Sequence, residues 1–242
     1  MDAIKIFVAI LPIFILVLYV YVHDKEKEPT SLLFISFIVG VLICIPCIYV
    51  ENVIAHYTNF LQANIVGSFL YVLLTIALVE EGYKFLASFI ISYDNKNNDY
   101  TFDSIVYCAF VALGFAFFEN ILYLKTISLN SIVLRAFTAV PVHLSCGIMM
   151  GYFLSKAKQD IKREKINFFK ALMAPAMTHA IYNYYLVYIT NEFRIHLSTS
   201  LVKPVTYILL ILILVALFLF SHLLLVDSAI HDKKLKKKKT DN

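Results

Sequence analysis

Residues 64–92 read NIVGSFLYVLLTIALVEEGYKFLASFIIS. The run is apolar on both sides of Glu80, Glu81 and Lys84. It is long for a helix crossing about 30 Å of hydrocarbon, which needs about 20 residues. A tilt, or extension past the interface, absorbs the excess. At a helix centre each charged side chain costs about 2.5–3.5 kcal/mol on insertion scales. Groups placed as closely as these are retained where they pair inside a bundle or line a hydrated cavity. The stretch therefore belongs to a bundle of membrane helices rather than to a lone anchor.

The rest of the 242-residue chain agrees. Hydrophobic residues make up 60% and charged residues 16%, with a mean hydropathy of +0.77. A soluble domain has about 45–50% apolar and about 25% charged residues. More than half of the charged residues fall in 24–28, 156–165 and 227–241. These proportions exclude a soluble globular enzyme, a nucleic-acid-binding module and a disulfide-rich secreted domain, so no nucleic-acid partner is expected. The apolar runs are continuous and do not alternate as barrel strands do. The expected fold class is all-α: a polytopic, multi-pass helix bundle of the cell membrane with about seven crossings, at 4–22, 31–50, 64–92, 104–124, 132–155, 167–190 and 204–226. The first span has no small-residue cleavage site and reads as a retained helix. One transmembrane domain is expected over 1–226, with a catalytic core over about 64–190 and a basic cytoplasmic tail at 227–242.

Lysines and arginines orient the bundle. With the N-terminus outside, fifteen fall on the inner side: Lys25, Lys27, Lys96, Lys156, Lys158, Lys162, Arg163, Lys165, Lys170 and six tail lysines. Four fall outside: Lys5, Lys125, Arg194 and Lys203. The asymmetry predicts N-out and C-in. The tail lysines read first as a stop-transfer anchor and second as a site for anionic lipid headgroups.

Several more ionisable groups sit at bilayer depth: Glu119, Arg135, His143 and His179. Glu80 and Lys84 are i,i+4 and Glu81 and Lys84 are i,i+3, so each pair shares a helix face. Two adjacent carboxylates beside one lysine are a route to a base poised near neutrality, or to a structural ion-pair network. His179 and Asn183 lie one turn apart behind Pro175. His143, Gly147 and Gly151 form one stripe whose glycines allow close helix approach. Arg135 is placed to balance Glu119. Cys44-Ile45-Pro46-Cys47 reads as buried small residues rather than a redox pair, because no second cysteine pair relays electrons. Tyr182, Tyr184, Tyr185 and Tyr188 read as an interfacial aromatic belt.

Glu80-Glu81-x-x-Lys84, Phe115-x-x-x-Glu119-Asn120, His143 ahead of its glycine stripe, and His179-x-x-x-Asn183 together resemble the PrsW family of intramembrane proteases. That family is similar to the CAAX prenyl endopeptidases and bacteriocin-processing proteins of the Abi group. The resemblance spans Val79 to Asn183. It implies an endopeptidase that cuts a membrane-anchored, single-pass protein near the outer surface, an anti-sigma factor in the PrsW case, starting a stress response. The Abi pattern implies that Glu80 activates water while His179 and Asn183 stabilise the oxyanion. The second Abi motif commonly ends in histidine and here ends in Glu119, which either orients a base or binds a metal.

The catalytic residues expected on this reading are Glu80, Glu81, His179, His143 and Glu119, with Lys84, Asn183 and Arg135 in support. A metal-free mechanism is favoured here, since His-Glu-x-x-His is absent; the alternative is zinc on Glu80, His143 and His179. Two rival functions are a proton-coupled transporter, which would use the same ionisable groups but lacks an inverted repeat, and a non-catalytic membrane scaffold.

Overall fold

The computed structural model describes residues 3–186 and 202–240, and regular structure among them is entirely helical. In chain order the helices are α1 (Ala3–His23), α2 (Thr30–Thr58), α3 (Ile65–Tyr71), α4 (Leu78–Ser88), α5 (Thr101–Tyr123), α6 (Leu129–Phe137), α7 (Ala139–Gln159), α8 (Glu164–Tyr184) and α9 (Val202–Thr240). Tyr188, Arg194 and the last residues of the expected 167–190 span lie outside the described residues. Among the described residues, six segments are long and apolar enough to cross a membrane: Ala3–His23, Thr30–Ala63, Ile65–Tyr93, Thr101–Tyr123, Leu129–Gln159 and Val205–Lys237. α8 has 21 residues but spends polarity on Lys165, Lys170, His179 and Asn183, and it falls outside that set.

Three expected spans are subdivided or extended. The 64–92 run contains two π-helical stretches, Val72–Ala77 and Phe89–Tyr93, which flank α4. The expected 132–155 span breaks at Thr138 (φ −124°, ψ −64°), separating α6 from α7. Pro141 supplies the reason: it has no N–H to continue the ladder back to Phe137. α2 continues past the expected end at residue 50 and carries Glu51 on its last three turns.

α5 is the axis of the bundle. Its first sixteen residues, 101–116, are almost all buried, between α1, α2 and α7. Small residues permit this. A Cβ at Gly151 would sit 2.5 Å from the Ser104 carbonyl oxygen, and one at Gly147 would sit 2.9 Å from that of Cys108. The stripe of the sequence is thus the seam along which α7 lies on α5. By contrast α1 and α9 turn large apolar side chains outward, among them Phe7, Leu18, Ile208 and Leu219, as lipid-facing helices do.

The helices alternate in direction. At one end Asn120 bonds to Ala9; at the other Tyr107 bonds to Glu28. The second end gathers the charged loops: Tyr93 donates to Glu164 at 2.9 Å, Lys158 reaches the Asn98 carbonyl at 2.5 Å, Asp232 accepts from Thr101 N at 2.8 Å and Lys236 pairs with Glu26. The tail from Asp227 to Lys237 is therefore docked on the bundle through a continuous helix rather than separate from it. Lys5, Asn64 and Ser128 belong to the opposite, less basic end.

Tyr182 and Tyr185 depart from the expected aromatic belt. Both are buried; Tyr182 Oη is 2.7 Å from Thr138 Oγ1, and Tyr185 donates to the Thr206 carbonyl at 2.6 Å. They tie α8 to the α6–α7 break and to α9, because a phenol inside a bundle must find a partner for its hydroxyl. All four cysteines are free and buried, and Cys44 and Cys47 pack on Phe115.

Candidate active site

The motifs on α4, α5, α7 and α8 converge. Lys84 Nζ donates to Glu81 Oε1 at 2.8 Å and to Glu80 Oε2 at 3.1 Å, and lies 2.9 Å from His143 Nδ1. It also sits 4.2 Å from the centre of the Phe115 ring, where a cation gains from the ring's negative face. His179 Nδ1 is 2.9 Å from Glu81 Oε1 and 3.8 Å from Glu80 Oε2. The two imidazoles meet edge-on with centroids 5.0 Å apart. Glu81 and Lys84 are 0% and 1% exposed, and Glu80, His143 and His179 are nearly as buried.

Each imidazole is held from behind. His143 Nε2 is 2.9 Å from Glu119 Oε2, and the same oxygen is 2.9 Å from an Arg135 terminal nitrogen. His179 Nε2 is 3.0 Å from the Asn183 amide. Because an ammonium only donates, His143 Nδ1 accepts from Lys84 and its Nε2–H donates to Glu119. His143 thus turns an Nδ1 lone pair to Lys84, whereas the Asn183 amide nitrogen donates to His179 Nε2 and leaves the His179 proton on Nδ1, facing Glu81.

Charge and donor balance leave a gap. Three carboxylates (Glu80, Glu81, Glu119) face two permanent cations (Lys84, Arg135), so the cluster is one positive charge short when both imidazoles are neutral. Glu81 Oε2 is buried with no hydrogen-bond partner, an arrangement that is costly unless something takes it up. Among the described residues, Glu80, Glu81, His143 and His179 offer ligand atoms that all lie within 4.8 Å of one another. Two imidazole nitrogens and carboxylate oxygens are a donor set that zinc accepts, and histidine ligands characteristically donate their second ring N–H to a carboxylate, as His143 does to Glu119. The residues fit a metal ion. This set contains the zinc alternative on Glu80, His143 and His179 and adds Glu81.

Three of its four helices place the site towards the less basic end, whereas Glu80 and Glu81 stand near the middle of the Ile65–Tyr93 segment. Glu119 stands four residues before the end of α5, His143 four after the start of α7 and His179 five before the end of α8. At 1.5 Å per residue these are about 6–8 Å from the less basic end, against about 22–27 Å from the basic one.

Two groups carry more than the sequence suggested. Asn120, fully buried, donates to the Ala9 carbonyl at 3.0 Å and accepts from Arg135 Nε at 3.1 Å. Glu51, one turn after Cys47, takes the Cys47 thiol at 3.6 Å and lies within electrostatic reach of Glu80. Its signal is the helical spacing Cys44, Cys47, Glu51, which extends past the apolar run that hydropathy ends at residue 50.

The family model described as PrsW family intramembrane metalloprotease matches residues 28–220. The chain belongs to the PrsW family. The protein called Protease PrsW from Oceanobacillus iheyensis is 37% identical over 177 residues, 73% of this chain and 80% of the relative. Those of Geobacillus kaustophilus and Bacillus subtilis are each 31% identical, over 70% and 72% of this chain and 73% and 78% of their own lengths. No solved structure matches the chain significantly. The convergent motifs all lie inside the stretch that the PrsW model matches, whereas α1 ends before it begins.

Proposed function

We propose that the Glu80–Glu81–His143–His179 cluster hydrolyses a peptide bond of a membrane-anchored, single-pass protein close to the outer surface. The observation that carries this is the convergence of two backed imidazoles on a buried carboxylate pair. The placement of Glu119, His143 and His179 towards the less basic end, taken with the N-out orientation and seven crossings expected from the sequence, would open the site to the outer face. An anti-sigma factor is the substrate class that the family likeness implies. Membership of a protease family weighs against the transporter and scaffold readings.

Glu81, His143 and His179 would hold a metal ion, with the orphaned Glu81 Oε2 as its carboxylate donor. When bound, the ion supplies a Lewis acid that polarises the scissile carbonyl and acidifies water. Glu80 is the less buried carboxylate of the pair. It takes a proton from water and returns it to the leaving amide nitrogen. Glu119 accepts the His143 Nε2–H and leaves the Nδ1 lone pair facing inward; the same tautomer at His179 would need the Asn183 amide turned to present its oxygen to Nε2. Lys84 holds the pair together and supplies positive charge where negative charge develops.

One observation favours a second reading. Lys84 Nζ already lies within 3.1 Å of Glu80, Glu81 and His143, so it fills the cation position itself. In that metal-free version Glu80 is still the base, and His179 with Asn183 steadies the oxyanion. Purified full-length protein in liposomes with a tagged single-pass substrate separates the two. Chelator-sensitive cleavage restored by zinc is expected; chelator-insensitive cleavage selects the metal-free version. Glu80→Gln and His179→Ala should each lower kcat by about 10²–10⁴-fold, the range for losing a general base. Processing at the normal rate by both would end the protease reading of this site.

A further inference from the structure

α1 lies outside the stretch that the family model matches, yet an unbroken chain of contacts runs from it to His143. Ala9, 0% exposed, offers its carbonyl oxygen to Asn120 Nδ2 at 3.0 Å. A carbonyl only accepts, which fixes the Asn120 amide with its nitrogen towards α1 and its oxygen towards Arg135. That oxygen accepts from Arg135 Nε at 3.1 Å, and the guanidinium lies over the Tyr123 ring at 4.1 Å. With its plane fixed in this way, Arg135 directs a terminal nitrogen at Glu119 Oε2, the oxygen that meets His143 Nε2. Without Asn120, only the Tyr123 ring and Glu119 itself restrain the Arg135 guanidinium, so Glu119 and the His143 ring that it orients are held less firmly.

We infer that α1 is a positioning element of the active site, acting through Asn120 on the orientation of His143. Asn120 is a positioning residue, since it touches none of the reacting groups. The inference rests on the proposed reading of the cluster. It assigns a role in turnover to a helix whose outward face is otherwise that of an ordinary lipid-facing span.

The test uses the full chain in liposomes. Asn120→Leu removes both bonds while keeping the number and branching of the side-chain heavy atoms. Ala9→Leu enlarges a fully buried contact, packed with Leu124 and Ile132, and pushes α1 away without touching any polar group of the chain of contacts. Both should lower kcat about 10–100-fold, as loss of an orienting partner typically does, while KM stays within about 2-fold, because the lost interaction matters to the transition state rather than to binding. Leu11→Ala, on the outward face, and Lys5→Ala, which removes only the tie to the Leu124 carbonyl, should stay within about 2-fold of the parent. Normal kcat in Ala9→Leu, or a decline no larger than the loss of folded protein measured by thermal unfolding, overturns the inference. Glu80→Gln in the same assay keeps the two ideas apart. If it is inactive while Ala9→Leu is normal, only the role of α1 falls; if it is active, the reading of the cluster falls.

Discussion

Both ends of this bundle bury carboxylates, and they use them differently. At the basic end Asp232 accepts from the Thr101 and Phe102 amides at 2.8 and 2.9 Å, and Asp103 accepts from the Asp99 and Tyr100 amides at 3.0 and 2.8 Å. These acids finish a helix start, satisfying backbone donors that have no partner within the helix. Glu28 takes the Tyr107 hydroxyl, and burial pushes the Asp24 and Glu28 carboxyls above their ordinary range. At the opposite end Glu80, Glu81 and Glu119 are engaged by lysine, arginine and histidine side chains, mostly from other helices. A buried acid by itself therefore says little about function. Side chains of opposite and titratable character that converge, with an oxygen left over, are what mark a site.

The comparison is most easily broken by Glu119. Glu119→Ala should lower kcat about 10–100-fold, since it releases His143 and strands Arg135. An equal loss from Asp232→Ala would erase the distinction between the two ends. Asp232→Ala should instead cost about 1 kcal/mol of stability, the usual value of a helix cap, visible as a lower Tm in detergent with kcat within about 2-fold of the parent. The smallest effect concerns Glu28. Its raised carboxyl pKa means that its contribution to stability is fully present below its ordinary value of 4.5 and is lost as pH rises through the folded-state value. Glu28→Gln removes that loss, so Tm of the variant minus Tm of the parent should grow as pH is raised from about 5 to about 8. A difference that is flat, or that shrinks, would show Glu28 acting as an ordinary solvated acid.

Much of the candidate site is legible in the sequence, for a physical reason. Lipid makes an ionised side chain expensive, so Glu80, Glu81, Lys84, Glu119, Arg135, His143 and His179 stand out from their apolar surroundings without reference to geometry. The His143–Gly147–Gly151 stripe likewise announced a close seam, and α7 lies there against α5. Hydropathy is blind to where an apolar run stops being one helix. It read 132–155 as continuous across Thr138 and ended the second span just short of Glu51. It also could not distinguish tyrosines that face headgroups from Tyr182 and Tyr185, which face inward to partners on other elements. Asn120 was visible beside Glu119, but an uncharged amide carries no cost large enough to point at its two partners, one of them a backbone oxygen far away in sequence.

The carboxylate of Asp232 has a consequence for biogenesis. The leading amides of the central helix receive their acceptor from a residue made about 130 positions later, on a helix that leaves the ribosome well after it. Until that segment inserts, Thr101 and Phe102 have only water or headgroups to satisfy them at the interface. A chain stalled or cut before residue 232 would thus keep its polar cluster yet lack the clasp that finishes the helix on which Glu119 is carried.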